Sequence, residues 1–193
     1  VLQWAQANDA PWDADTCRVA AREGHLQVLQ WARANGAPWD ADTCTDAARG
    51  GHLEALQWAR ANGCPWTKTE LCVAAGNGHE MMVRALIELG ANVNRSMVDG
   101  ETPLYIAAAN GREEVVRALI DLNADVNKAR NDGATPLFVA TKNGHEAVVR
   151  ALIEAGADVN KAADDGSTPL SLSMKPINNI AQGKHAVIVQ ILR

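Results

Sequence analysis

The sequence predicts an all-α protein in which short antiparallel helix pairs stack into a linear array. The first observation is a repeat of 33 residues, since Gly100, Gly133 and Gly166 begin near copies of one segment. The second is a period of 27 residues near the N-terminus, which spaces Trp4, Trp31 and Trp58. A fixed period of this size is typical of stacked repeats, each of which packs on its neighbours.

Each repeat contains two short segments with apolar residues three and four positions apart, which is the spacing of an amphipathic helix. The first helix of the long units begins at Thr102, Thr135 and Thr168, where a hydroxyl can cap the helix and a proline follows. In the short units we expect Asp15 and Asp42 to be the caps.

The helix ends are predicted from residues that tolerate a left-handed backbone. We expect the first helices to end at Gly24, Gly51, Gly78, Gly111 and Gly144. The second helices are expected to end at Gly36, Gly63, Gly90, Asn123 and Gly156.

The two kinds of repeat divide the chain into residues 1–66 and residues 67–193, which we expect to form one continuous solenoid of about six units. The short units lack the connector that follows the second helix in the long ones. The last unit carries extra residues at about 174–184, which predict a protruding loop. The chain begins in mid-repeat without a methionine, so both ends look cut, and a targeting segment of the parent protein would not be observable in this sequence.

The Thr-Pro-Leu, Gly-His and Gly-Ala-Asp-Val-Asn motifs of residues 67–193 resemble those of ankyrin repeats. The Trp-rich units of 1–66 resemble short, finger-less relatives of that family. The resemblance implies a curved solenoid with β-hairpin fingers, here in the C-terminal half only, which binds other proteins through the fingers and the concave face. The position after Thr-Pro-Leu is usually His in the family, and here it is Tyr105, Phe138 and Ser171.

Composition argues against several classes of function. The net charge of −5 and the pI near 5.5 are opposed to nucleic-acid binding, which needs clustered Lys and Arg. Charges interrupt every apolar stretch, so we expect no membrane span. The four cysteines lack the spacing of disulfide frameworks or metal ligands, which predicts free thiols in a reducing intracellular compartment, the cytoplasm.

The histidines recur at one turn of the repeat, at His25, His52, His79, His145 and, by alignment, His185. One histidine per stacked unit cannot converge on a single ion, so we predict no metal site and no cofactor. We expect these side chains to bond the backbone of the turn.

The cysteines and tryptophans leave two interpretations open. Cys17 and Cys44 align with core leucines and are expected to be buried, whereas Cys64 or Cys72 could be a reactive thiol. The tryptophans could form an aromatic binding stripe. Core filling is favoured, because a large side chain can cover helix ends where the connector is missing.

Paired acids are the remaining candidates for chemistry, and they do not form a catalytic dyad. Glu113 and Glu114 are adjacent at the start of a helix, where neighbouring side chains do not face each other. Asp164 and Asp165 lie in a connector. The sequence shows no nucleophile-base pattern or phosphate loop, so we predict that the chain is not an enzyme.

The connectors 94–101, 127–134 and 160–167 vary most among the long units, and loops that vary on a constant scaffold are typical of binding surfaces. Met97 and Val98 are the strongest indication, because an exposed apolar pair is unfavourable unless it is covered. Tyr105 and Phe138 could extend that surface or simply fill the space of the missing His. Asn94, Asn127 and Asn160 resemble the substrates of asparagine hydroxylases, and no modification is predicted from this resemblance.

The predicted function is binding of another protein through the connectors, without a nucleic-acid, membrane or small-molecule partner. The alternatives are an adaptor or regulatory array of a larger protein, such as a ubiquitin-ligase substrate receptor or the targeting arm of an enzyme, or a structural subunit of a large assembly. The predicted partner-binding residues are Arg95, Ser96, Met97, Val98, Asp99, Glu101, Tyr105, Ala129, Arg130, Asn131, Asp132, Ala134, Phe138, Asp164, Asp165 and Ser167.

Overall fold

The computed structural model describes residues 13–65, 67, 69–174 and 188–192. Regular secondary structure in these residues is helical, and none of them lies in a β-strand. The helices are α1 (Ala14–Arg22), α2 (Leu26–Ala34), α3 (Ala41–Gly50), α4 (Leu53–Ala61), α5 (Glu70–Asn77), α6 (Glu80–Glu88), α7 (Pro103–Ala109), α8 (Glu113–Asp121), α9 (Pro136–Asn143), α10 (Glu146–Glu154) and α11 (Pro169–Met174). Residues 188–191 are also helical.

The chain forms two compact units, Val1–Ala74 and Ala75–Arg193. In the first unit, α1 packs on α2 and α3, and α4 packs on α2 and α3. In the second unit, the first helices α7, α9 and α11 pack side by side, and so do the second helices α6, α8 and α10. Each unit is therefore built from stacked helix pairs, as the repeat periods predict.

The core of both units consists of leucine and small side chains between the two helix layers. Leu29 and Leu56 are fully buried in the first unit, and Leu119 and Leu152, which lie three residues further along the second helices, are fully buried in the other unit. Buried alanines allow the helices to approach closely. The expectation that Cys17 and Cys44 are core residues is confirmed, since both are fully buried.

The predicted helix starts are confirmed in the long units and wrong in the short ones. The hydroxyl groups of Thr102 and Thr135 each accept a hydrogen bond from a backbone N–H of the first turn, and a proline follows each cap. In the short units the caps are Asp13 and Asp40, two residues before Asp15 and Asp42.

The shift has a local cause. Asp40 is extended and its carboxylate accepts from the backbone N–H groups of Asp42 at 3.0 Å and Thr43 at 3.2 Å. Without a proline to fix the first helical position, α1 and α3 begin earlier relative to the turn. Asp15 and Asp42 then lie in the first turn, where their charge still favours the helix.

The predicted helix ends are confirmed. The glycines expected after first and second helices all have positive φ, and Asn123 replaces glycine at one end with a φ of 63°. Asn123 is the one non-glycine residue with positive φ in the part of the chain that the structure describes. Asparagine tolerates this conformation better than other side chains.

Several expectations lie outside the described residues. They concern Trp4, Trp12 and Trp66, His185, and the loop at about 174–184 beyond the end of α11. Among the helices that the structure describes, none is long and apolar enough to cross a membrane.

Candidate functional site

The three connectors of the second unit end in the same tight turn. In the first, Gly100 N–H donates to Met97 O at 3.0 Å, and Met97 N–H donates to Glu101 O at 2.9 Å. The same two bonds, between 2.9 and 3.0 Å, close residues 130–134 and 163–167. We call residues 97–101, 130–134 and 163–167 the tip turns. They have the bonding of a three-residue hairpin loop, while the flanking residues are not assigned to strands.

Neighbouring tip turns are joined by backbone hydrogen bonds. Asn131 N–H donates to Asp99 O at 3.1 Å, and Asp164 N–H donates to Asp132 O at 2.9 Å. Asn131 adds a side-chain bond, from Nδ2 to Val98 O at 3.0 Å. Each later turn is thus held against the one before it.

A second set of bonds joins the connectors nearer the helices. The side-chain oxygens of Asn94 and Asn127 each accept a backbone N–H of the next repeat at 2.8 Å. The amino groups of Lys128 and Lys161 donate to the carbonyls of the same two asparagines, at 2.7 Å and 3.0 Å. Asn94 and Asn127, two of the three asparagines that resemble hydroxylase substrates, therefore hold one repeat to the next.

The apolar pair of the first tip turn is exposed. Val98 retains 96% of its accessible surface and Met97 retains 41%. Such exposure is unusual for apolar side chains, and here both lie at the projecting end of a connector held by hydrogen bonds on its C-terminal side.

An ion-pair cluster fixes the second tip turn to the first. The guanidinium of Arg130 binds the carboxylate of Asp132, lies 3.5 Å from Glu101 Oε1 and is 5.6 Å from the centre of the Tyr105 ring. The hydrogen bond from Arg130 lowers the pKa of the Asp132 carboxylate to about 2. Burial raises the pKa of Tyr105. Arg130 is therefore committed to intramolecular contacts and supports the turn.

The structure separates the predicted partner-binding residues by exposure. Tyr105 and Phe138 are buried, with 5% and 8% of their surface exposed. This agrees with the interpretation that the two aromatic side chains fill the space of the missing His. Ala134 is also buried. The exposed members are Arg95, Met97, Val98, Asp99, Asn131, Asp164 and Asp165, and the half-buried ones are Ser96, Glu101, Ala129, Arg130, Asp132 and Ser167.

An arginine cluster in the first unit could not be found from the sequence pattern. The Asp46 carboxylate is only 2% exposed, and it binds Arg22 at 2.9 Å and both Arg18 and Arg49 at 3.2 Å. Burial opposes ionisation of Asp46, but the hydrogen bonds and charge of Arg22 and Arg18 outweigh it and hold the pKa below its usual value. Val19 takes the place of Asp46 in the preceding repeat, so the repeat pattern does not mark this carboxylate.

The prediction that the tryptophans fill the core is wrong for the described ones, because Trp31, Trp39 and Trp58 are only half-buried. Trp39 and Trp58 meet edge to face at 5.7 Å, and the guanidinium of Arg33 lies 4.2 Å above the Trp39 ring. These side chains, with Gln30 and Asn62, line an open pocket of about 290 Å³. The indoles cover α2 and α4 from outside, where they remain partly in water.

The histidine interpretation is confirmed at His145. Its Nε2 lies 3.1 Å from the carbonyl oxygen of Ala109, at the end of the first helix of the preceding repeat. Arg112, which replaces histidine in its repeat, donates to Gly76 O at 3.1 Å in the same way. The described residues contain no group of three or more His, Cys, Asp or Glu side chains placed to hold a metal.

The cysteines are all buried. A hydrogen bond with Cys64 and burial raise the pKa of the Cys44 thiol, and burial raises the pKa of Cys17. Cys64 and Cys72 are 7% and 4% exposed, which leaves little access for a reagent in solution.

Stacked helix pairs with projecting, bonded tip turns define a helical-repeat scaffold. The family description that matches is ankyrin repeats in three copies, over residues 44–130 and 123–192. The chain therefore belongs to the ankyrin-repeat family, whose members generally act as protein–protein interaction modules and are typically not enzymes. No curated protein matches the chain.

Proposed function

We propose that this chain is a non-enzymatic module that binds one protein partner through its tip turns and the adjoining residues of the second unit. The observation that carries the proposal is the exposed pair Met97 and Val98. Covering these side chains removes apolar surface from water, which favours association by about 25 cal/mol per Å² before other terms.

The bonds between connectors support a binding role, because they hold the tips in place before a partner arrives. Asn131 and Asp164 are each bonded to the preceding tip turn, and Lys128 and Lys161 are bonded to the preceding connector. A surface ordered in advance loses less conformational freedom on binding. The tips are thus suited to act as a rigid contact surface.

The charges at the tips favour a protein over a nucleic acid. Exposed Asp99, Asp164 and Asp165 accompany Arg95, while Arg130 is neutralised within the chain. Nucleic-acid binding needs a surplus of cationic side chains toward phosphate, and the chain has a net charge of −5. A small-molecule substrate is not part of the proposal, since the tips are projecting turns.

The proposal also covers the arrangement of the chain. The tip turns are the ends of hairpin fingers, and the short repeats before them serve as a spacer. In support, the described short repeats have no counterpart of the tip turns between α2 and α3, where only six residues intervene (35–40).

Affinity capture from the source cells tests the proposal. One bait is the full chain, and the other carries serine in place of Met97, Val98, Asn131 and Asp164. Circular dichroism and tryptophan fluorescence of both baits establish that the helices remain folded. A protein captured by the first bait and lost with the second supports the proposal, whereas equal capture by both baits contradicts the site assignment.

A further inference from the structure

Three hydrogen-bond donors of the first connector lack the acceptors that their counterparts have in the later connectors. The clearest is the backbone N–H of Val98. Its equivalents, Asn131 N–H and Asp164 N–H, donate to the preceding tip turn at 3.1 Å and 2.9 Å. Within the described residues, Val98 N–H has no hydrogen-bond partner.

The other two donors show the same difference. Arg95 corresponds to Lys128 and Lys161, whose amino groups bind the preceding connector, but the Arg95 side chain is exposed and binds no described residue. Asn92 N–H corresponds to Asp125 N–H and Asp158 N–H, which each donate to an asparagine side chain at 2.8 Å. Asn92 N–H has no acceptor among the described residues either.

The three donors lie three residues apart in sequence and form what we call the open edge: Asn92, Arg95 and Val98. Their later counterparts all donate in the same direction along the repeats, toward the preceding connector. The open edge is therefore the side of the first connector on which a preceding connector would lie.

The side chains support the same conclusion. Asn131 covers Gly100 so closely that a Cβ on that glycine would lie 2.4 Å from Asn131 Oδ1. Asp164 covers Gly133 in the same way, at 2.8 Å. Val98 occupies the equivalent place in the first connector and is 96% exposed, so no described residue lies beside it in the way that Asn131 and Asp164 lie beside the preceding turns.

We propose that the open edge binds an extended segment of the partner protein, which acts as an additional connector. Its backbone carbonyls accept from Val98 N–H and from Arg95, and an Asn or Asp side chain accepts from Asn92 N–H. An apolar residue of the segment covers Val98. The repeated contacts within the chain argue for a polypeptide, since the same three donors bind polypeptide acceptors at each later connector.

This inference rests on the proposed function, because it specifies how the tip of the first connector would hold the partner. The probe that tests it is a synthetic peptide with the sequence of residues 94–101, which carries the acceptors that the second connector uses. Titration of the full ¹⁵N-labelled chain with this peptide is followed by NMR. We expect the amide signals of Val98 and Asn92 to shift, while those of Asn131 and Asp164 stay in place.

Two substitutions at one position separate the backbone donor from the side chain. Val98→Pro removes the N–H and keeps an apolar side chain, and proline is favoured at the second position of such a turn. Val98→Ser keeps the N–H and removes the apolar group. We expect Val98→Pro to weaken peptide binding about fivefold, the value of one hydrogen bond, and Val98→Ser to weaken it less.

Three outcomes would overturn the inference. The first is an absence of binding at millimolar peptide. The second is equal weakening of peptide binding by Val98→Pro and Val98→Ser. That result would mean that the tip turn binds through apolar contact alone, and the proposed function would stand. The third is a concentration-dependent shift of the Val98 signal without peptide, which would assign the edge to a second copy of the chain. Loss of the proposed function would instead appear as partner capture that is insensitive to every tip substitution.

Discussion

Asn131 holds the second connector to the first through two hydrogen bonds. Its backbone N–H donates to Asp99 O at 3.1 Å, and its Nδ2 donates to Val98 O at 3.0 Å. Val98 is the residue 33 positions earlier, and its own N–H has no such acceptor among the described residues. Equivalent positions of two neighbouring repeats therefore differ in what they contribute to stability.

Proline at these two positions should have opposite consequences for stability. Asn131→Pro removes both hydrogen bonds and should lower the free energy of unfolding by roughly 1–2 kcal/mol. Val98→Pro removes no hydrogen bond that joins two described residues, and it should leave the unfolding free energy unchanged or slightly raised, because proline restricts the unfolded chain. Urea unfolding followed by circular dichroism measures both. Equal losses would mean that Val98 N–H has an acceptor after all.

The corrected helix cap gives a second prediction. Asp40→Ala should lower the unfolding free energy by about 1 kcal/mol, because its carboxylate accepts two backbone N–H groups at the start of α3. Asp42→Ala is the matched control. It removes an equal charge from the first turn without removing a cap, and its effect should be about half as large or less. A larger loss of unfolding free energy for Asp42→Ala than for Asp40→Ala would mean that Asp42 is the cap, as predicted from the sequence.

The arginine cluster around Asp46 should make the first unit sensitive to acid. Asp46→Asn leaves three guanidinium groups facing a neutral amide and should cost roughly 2 kcal/mol. The pKa of Asp46 is lower in the folded chain than the unfolded value of about 3.9. Its stabilisation is therefore fully present above about pH 4 and is lost as the pH falls through the folded pKa.

The difference between the wild-type and Asp46→Asn unfolding free energies should accordingly be constant from about pH 5 to 7 and shrink below about pH 4. Denaturant titrations at several pH values measure this difference. Asp15→Asn provides the control, since that carboxylate is exposed and pairs with Arg18 only at the surface. A difference that stayed constant at low pH would show that folding does not lower the pKa of Asp46.

A fourth prediction compares two glycines with similar backbones and different surroundings. Gly111 and Gly156 have φ values of 67° and 84°, so alanine is strained at both. A Cβ at Gly111 would lie 2.6 Å from His145 Nδ1, whereas at Gly156 it would meet nothing within 4 Å.

Gly156→Ala should therefore cost about 1 kcal/mol from the backbone alone. Gly111→Ala should cost more, because the ring of His145 must also move away from its contact with Ala109 O. Thermal unfolding of the two variants gives the comparison. Equal destabilisation would mean that the histidine ring moves aside at no cost.

The sequence predicts what depends on local geometry. Glycine at Gly51 and Gly144 specifies a left-handed residue, and Thr-Pro at 102 and 135 specifies a capped first turn. Each of these signals acts within a few residues, so it can be recognised without knowledge of the neighbouring repeat.

The features that sequence could not supply depend on contacts between repeats. Asp46 meets Arg18 and Arg22 from another helix, and no local pattern marks that meeting. Trp39 and Trp58 pack on each other at the surface, although the missing connector favoured their burial over the helix ends. In the connectors, the variable tip was evident from the sequence. The sequence did not show that Asn131 N–H has an acceptor in the preceding turn while Val98 N–H has none among the described residues.

The most direct test of the central claim compares two pairs of exposed apolar residues in binding to a captured partner. The double variant Met97→Ser/Val98→Ser alters the first tip turn, and Met81→Ser/Val19→Ser alters a methionine and a valine that are 69% and 53% exposed on helices. Isothermal titration calorimetry measures the affinity of each. We predict that the first variant binds at least about tenfold more weakly while the second binds as the wild type does, because only the first loses apolar contact area. An unchanged affinity for the Met97/Val98 variant would contradict the account.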